Sequence, residues 1–144
     1  YIYNQKKTET FHHYGKNMWG LTASYSFNPD GTDSYTAHAP TNDRDIITPT
    51  AALSSFPYTP KESMDFLKFI YQDQNKKLIG VAGPYDAVDV KNDRVITKYL
   101  AIDQGTITPM IENYRSGLLW KLFMQNEDVQ RGLKKLKFKS NHSN

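Results

Sequence analysis

Apolar residues recur at helical spacing in several stretches of the chain, separated by long polar segments. Thr59-Pro60-Lys61-Glu62 has the form of a capping box with proline at the first helical position. Met64, Leu67, Ile70 and Tyr71 follow three or four residues apart, which predicts a helix to about Asn75 with one buried face. Thr48-Pro49 opens a shorter helix through Ala51, Ala52 and Leu53, ended by Pro57. After Asp103, the residues Ile107, Met110, Ile111, Tyr114, Leu118 and Leu122 trace one face through to Phe123, and Pro109 must sit in the first turn or kink the helix. A last helix is expected from Asn126, with Glu127 and Asp128 at its positive end and Val129, Leu133 and Leu136 as its stripe.

The segments between are not the short connections of a minimal bundle. Residues 1–20 show no clean period. The stretch from Ser24 to Asp45 reads as a long loop turning at Asn28-Pro29-Asp30-Gly31, and residues 78–100 as a loop with a short hairpin turning near Asn92-Asp93. The length suits one domain and there is no short internal repeat. The expectation is an all-α chain with long loops and small irregular β elements, whose loops line a site or pack against chain outside this sequence.

Composition narrows the function classes. The net charge is only +3, and Lys134, Lys135, Lys137 and Lys139 gather at one end. Without a basic stripe interleaved with aromatics, nucleic acid is not an expected partner. There is no cysteine, hence no disulfide or thiolate chemistry. No apolar run reaches the ~20 residues of a membrane span, and no signal peptide is visible in a chain that starts at Tyr1, as a processed or truncated product would. His12 and His13 are adjacent and His38 stands apart, so no metal-ligand spacing is completed; no metal and no cofactor are expected. No glycine-rich phosphate loop or nucleophile elbow occurs. Aromatic residues make up 13% of the chain, with ten Tyr, seven Phe and two Trp, enough both to fill a core and to offer flat faces to sugar rings.

Several segments, taken in order, resemble the glucoamylase-like domain family, whose relatives include proteins acting on β-1,2-glucans. They are Trp19-Gly20-Leu21-Thr22-Ala23-Ser24, the run Thr48 to Ser55 with Pro57 to Ser63, Tyr85-Asp86-Ala87, Tyr99 to Gly105, and Met110 to Trp120. The match covers roughly residues 15–138. The resemblance implies the C-terminal part of an (α/α)6 toroid over residues 1–144, an O-glycosyl hydrolase with a glucan-binding cleft, and a periplasmic or secreted address. Its implied partners are a glucan and the missing N-terminal part of the domain, or a second copy. Tyr25 stands where relatives usually carry an acid, and the segment around Tyr85 is altered by Gly83-Pro84 before it and Val88 after it.

Glycoside hydrolysis needs two carboxyl groups across the scissile bond, ~5–5.5 Å apart in retaining enzymes and ~6.5–9.5 Å in inverting ones. Asp103, at a loop-to-helix junction beside Gly105, is the first candidate; the alternative is a helix N-cap. Glu112, amid Ile111 and Tyr114, is the second, and the alternative is an ion pair with Arg115. Trp19, Tyr25 and Tyr35, in or beside the polar loop, are candidate sugar contacts, as are Gln104, Asn113 and Arg115 next to the two acids. Trp120 reads as core, and Asp86 and Asp89 as solvated loop acids.

Overall fold

The computed structural model describes residues 1–8, 14–73 and 77–139. The described residues are helical with three small antiparallel sheets. The order is α1 (Ile2–Thr8), β1 (Ala23–Phe27), β2 (Asp33–Ala37), β3 (Ile46–Ile47), α2 (Pro49–Leu53), α3 (Pro60–Lys68) running into a π turn at Phe69–Asp73, β4 (Ile79–Gly80), β5 (Gly83–Pro84), β6 (Ala87–Asp89), β7 (Arg94–Ile96), α4 (Ala101–Ser116), α5 (Leu118–Met124) and α6 (Glu127–Lys135). β1 pairs with β2, β6 lies between β3 and β7, and β4 pairs with β5.

The segment read as a loop from Ser24 is a hairpin. Tyr25 faces Tyr35 across it, and the connection turns at Asn28-Pro29-Asp30-Gly31 as expected, with Gly31 at positive φ. Its alternation is inverted: Ser24 and Ser26 point inward and are buried, while Tyr25 and Phe27 are only half-buried. The second hairpin turns where the sequence placed it, with Val88 facing Val95.

The main core gathers Tyr14, Trp19, Ile47, Leu53, Phe56, Phe66, Ile70, Leu78 and Val88. α3 and the turn after it present the expected face only in part, Ile70 and Leu67 meeting the core as expected and Met64 not. Ser63, Phe66 and Ile70 are buried, Leu67 is half-buried and Met64 is exposed. The expected end near Asn75 lies outside the described residues. Pro60 and Pro49 occupy the first helical positions, as expected, but neither threonine caps with its side chain. The Thr59 hydroxyl donates instead to the Ser55 carbonyl at 3.1 Å.

α4 begins at Ala101, so Leu100 is its N-cap and Asp103 stands in its first turn; the N-cap reading of Asp103 is corrected. Pro109 lies inside the helix, not in its first turn. Ile107 and Ile111 pack on the core. The long helix then breaks at Gly117, which takes the left-handed conformation (φ 67°), and α5 leaves in a new direction. This re-aims the rest of the stripe. Leu118, Leu122 and Trp120, expected in the core, are exposed, and α5 buries no residue. α6 starts at Asn126 as expected, its side chain accepting from the Asp128 and Val129 amides.

Candidate functional site

The β1–β2 hairpin, α2 and the first half of α4 border an open pocket of about 550 Å³. Its walls come from Leu21 to Ala23 before and within β1, Tyr35 on β2, Thr50, Ala51, Ser54 and Ser55 from α2 and its end, and Ile102, Asp103, Thr106 and Met110 from α4. Proline at N1 starts α2 directly after Thr48, and the backbone amide of Thr48 donates to the Gly20 carbonyl at 3.0 Å. This brings α2 against the chain entering β1. The contact requires glycine: Gly20 has φ +118°, and a Cβ there would meet Ala51 Cβ and the Ala52 nitrogen at 3.1 Å.

One wall carries three hydroxyls. Thr50 Oγ1 donates to the Asp103 carbonyl at 2.9 Å and lies 3.1 Å from Thr106 Oγ1, while Ser54 Oγ donates to Thr106 Oγ1 at 2.9 Å. They fasten α2 to the first turns of α4 and give the pocket a polar lining suited to hydroxylated ligands. Sequence reading did not single them out; their spacing of four on α2 was the available signal.

Asp103 is the acid of the pocket. Its side chain is 5% exposed and its Oδ2 has no donor partner. Behind it sits Asp86, fully buried at 0% exposure, whose Oδ2 accepts from the Tyr25 backbone amide at 2.8 Å while Oδ1 has no donor. The two carboxyls lie within hydrogen-bonding reach of each other. Burial pushes both acids up from the usual carboxylate range. For Asp86 the neighbouring Asp103 carboxyl adds to the rise, bringing it to about 7 against the opposing Tyr25 amide. Burial likewise raises Asp103, and the hydrogen bond with Asp86 works against that rise. The reading of Asp86 and Asp89 as solvated is corrected: both are buried, Asp89 accepting from Asn92 and pairing with Arg94 at 3.1 Å to close the β6–β7 turn.

The hairpin brings the two tyrosines together. The Tyr25 and Tyr35 rings meet edge to face at 5.5 Å, with Tyr35 half exposed over the pocket and Lys98 Nζ 3.9 Å from the Tyr25 ring centre. His38 lies buried near this group; burial lowers its pKa first, and Arg44 lowers it further, while the charges of Asp43 and Asp86 oppose.

The remaining candidates are placed elsewhere. Trp19 is a core residue, stacked edge-on against Phe66 at 6.2 Å. Glu112 pairs with Arg115 at 3.5 Å, the ion-pair alternative, and Arg115 is exposed. Nine residues along α4 from Asp103, Glu112 lies about 13 Å further along the axis and about half a turn round, beyond the reach of a paired-carboxylate site. Asn113 is buried and accepts from the Leu119 and Trp120 amides, fixing the start of α5. Gln104 donates to the Pro84 carbonyl at 2.7 Å, tying α4 to β5 behind the pocket. His12 and His13 lie outside the described residues. Among the described residues no three His, Asp or Glu side chains cluster as metal ligands.

The chain resembles known proteins in sequence and in fold. A family model described as "Putative glucoamylase" matches residues 1–127. The chain is 42% identical over 125 residues to an exo β-1,2-glucooligosaccharide sophorohydrolase (non-reducing end) of Parabacteroides distasonis, covering 85% of this chain and 17% of that protein. It superposes on an endo-β-1,2-glucanase of Chitinophaga pinensis, solved with sophorotriose and glucose, with TM-score 0.82 and 48% identity over 94% of this chain and 32% of that one. A β-1,2-glucanase of Parabacteroides distasonis gives TM-score 0.82 and 39% identity over 93% of this chain and 19% of that one. The chain therefore spans between a sixth and a third of the length of these relatives. With the match running from residue 1 to 127 and the identity well above 30%, this chain belongs to the glucoamylase-like (glycoamylase) family.

Proposed function

We propose that this chain forms one side of a glucan-binding and glucan-hydrolysing cleft, acting on β-1,2-linked or related glucans as the C-terminal segment of an (α/α)6 toroid. The observation that carries the reading is the pocket itself: a buried carboxyl, Asp103, faces an open space lined by hydroxyls and an exposed tyrosine ring. Hydroxyls and backbone groups bind sugar hydroxyls, and Tyr35 offers an apolar face to a pyranose ring. Asp103 acts at the reacting centre. Among the described residues it is the only acid in the pocket lining, so the second carboxyl required for hydrolysis comes from another part of the toroid. The relatives' substrates, β-1,2-gluco-oligosaccharides and β-1,2-glucan, supply the substrate class.

The exposed apolar face of α5 supports the segment reading. Leu119, Trp120, Leu122 and Phe123 stand in water on a helix that buries nothing, which marks a surface made to be covered. Its occupant is the remainder of a glucoamylase-like domain, given that relatives are about three to five times longer; without it the chain self-associates. A periplasmic or secreted address goes with this reading. No described helix is long and apolar enough to cross a membrane.

The second reading is a carbohydrate-binding remnant without turnover, favoured by the single acid in the pocket. Reducing-sugar release from β-1,2-glucan, alongside calorimetric titration of β-1,2-gluco-oligosaccharides, separates the two when measured on the chain joined to the remainder of a glucoamylase-like domain, which supplies the second carboxyl. Turnover that collapses in Asp103→Asn while binding persists supports the hydrolase reading. Binding without products supports the remnant, and neither binding nor products sinks both.

A further inference from the structure

Asp86 and Asp103 pose a problem in donor counting. Both side chains are more than nine-tenths buried. Asp86 Oδ2 has a donor, the Tyr25 amide, but Asp86 Oδ1 and Asp103 Oδ2 have none among the described residues. Two ionised carboxylates side by side would leave both oxygens bare and their charges opposed, an arrangement that buried acids do not tolerate. A single proton between them cures both faults, since a protonated carboxyl donates to its ionised neighbour.

We propose that Asp86 is a positioning residue for the pocket acid: it keeps one proton, donates it to Asp103, and so holds the Asp103 carboxylate in place with a single negative charge shared by the pair.

The surroundings decide which acid keeps the proton. Asp86 sits deepest, on the strand side, wholly out of solvent and fixed by the Tyr25 amide to β1. Asp103 borders the pocket and stands in the first turn of α4, where the helix dipole favours the charged form. The other charged groups facing Asp86 are Lys98, which is also paired with Asp33 and stacked on Tyr25, and His38, buried behind β2. Lys98 draws Asp86 toward ionisation, but less than burial and the neighbouring Asp103 oppose it. A carboxylate accepting a strong hydrogen bond on its inner oxygen presents its other oxygen in a fixed direction toward the pocket. The arrangement tunes the acidity of the pocket acid from behind without touching a ligand. The functional consequence rests on the glucan reading above, whereas the shared proton does not.

The test separates the two. Carboxyl carbons of aspartate are isotope-labelled and followed by NMR through a pH titration of the 144-residue chain, and of Asp86→Asn, Asp86→Ala and Asp103→Asn, with amide spectra confirming the fold of each. The expected result is two linked midpoints for this pair, with the Asp86 midpoint moving down by about one pH unit or more in Asp103→Asn, as strongly coupled acids require. Asp86→Asn, which still donates, should leave the Asp103 midpoint nearly in place, and Asp86→Ala, which cannot, should move it up. Independent titration of both acids in the ordinary carboxylate range, or equal effects of the Asn and Ala replacements on Asp103, would overturn the proposal. If the pair behaves as expected but the protein neither binds nor cleaves β-1,2-gluco-oligosaccharides, the shared proton stands and the glucan reading falls.

Discussion

Replacing Asp86 by asparagine keeps the shape of the side chain and removes its proton equilibrium, so the variant reads out what burying this acid does to stability. The sign follows from the direction of the shift. Below about pH 3.8 Asp86 is protonated in both the folded and unfolded chain and contributes nothing. As pH rises from there, the unfolded chain releases the proton while the native one holds it until about pH 7, so native stability is lost across that window and stays lost above it. A rise from 3.8 to about 7, at about 1.36 kcal/mol per unit, comes to about 4 kcal/mol. Rearrangement around the ionised form brings the measurable value down to about 2 kcal/mol or more. Asparagine at position 86 does not titrate, so the stability of Asp86→Asn minus that of the parent should grow by about 2–4 kcal/mol between pH 4 and pH 7.5. His38 has the opposite tendency, since its lowered pKa costs stability as pH falls, but it is present in both proteins and largely cancels in the difference. Urea unfolding followed by circular dichroism at half-unit pH steps gives the curve. A difference flat to within about 0.5 kcal/mol over that range would refute the assignment of Asp86 as a buried, protonated acid.

Phe66→Ala should destabilise the fold by about 3–5 kcal/mol, because the ring is fully buried between Trp19 and the rest of the core, while Met64→Ala, exposed on the same helix, should cost under about 1 kcal/mol; denaturant midpoints decide. Gly20→Ala should lower stability by about 1–3 kcal/mol through its positive φ and the tight approach to α2, read as a drop in melting temperature. Leu122→Ser should leave the stability of the isolated chain within about 0.5 kcal/mol yet reduce its self-association in light scattering, because Leu122 lies on the exposed face of α5.

The sequence made the helix starts legible because proline at the first position and Asn126 at a cap are local signals, read from one or two residues. The turn at Asn92-Asp93 was legible for the same reason, Asp93 taking the left-handed conformation that Asn and Asp tolerate. The β1–β2 hairpin was not, because its inward residues are serines and its outward ones aromatic, so alternation by hydrophobicity pointed the wrong way. The face of α3 was misread in part by a similar substitution: Ser63 fills a tight contact with the Ala52 carbonyl, where a search for apolar residues selects Met64 instead. At the site, the start of a helix and the family resemblance singled out Asp103, which lines the pocket from the first turn of α4. Asp86 was hidden because burial of an acid depends on a partner seventeen positions away, which no local pattern encodes. Glu112, the second candidate, lies further along the same continuous helix, in the ion pair with Arg115 that its spacing allowed.

Asn113 has one more consequence. Its side-chain oxygen receives two amides of α5, and the side chain is buried where the two helices meet. Gly117 supplies the reversal in backbone hand, and Ser116 adds bonds to the Leu118 amide and the Lys121 ammonium, so the start of α5 is held by groups of this chain itself. The apolar side chains of α5 are thus displayed on a preset template instead of being organised by contact. A surface ordered in advance loses less conformational freedom on association, so less of the burial energy is spent on ordering and more remains as affinity. Asn113→Ala should leave the pocket intact and weaken whatever assembly α5 supports, a separation of recognition from chemistry inside a single helix pair.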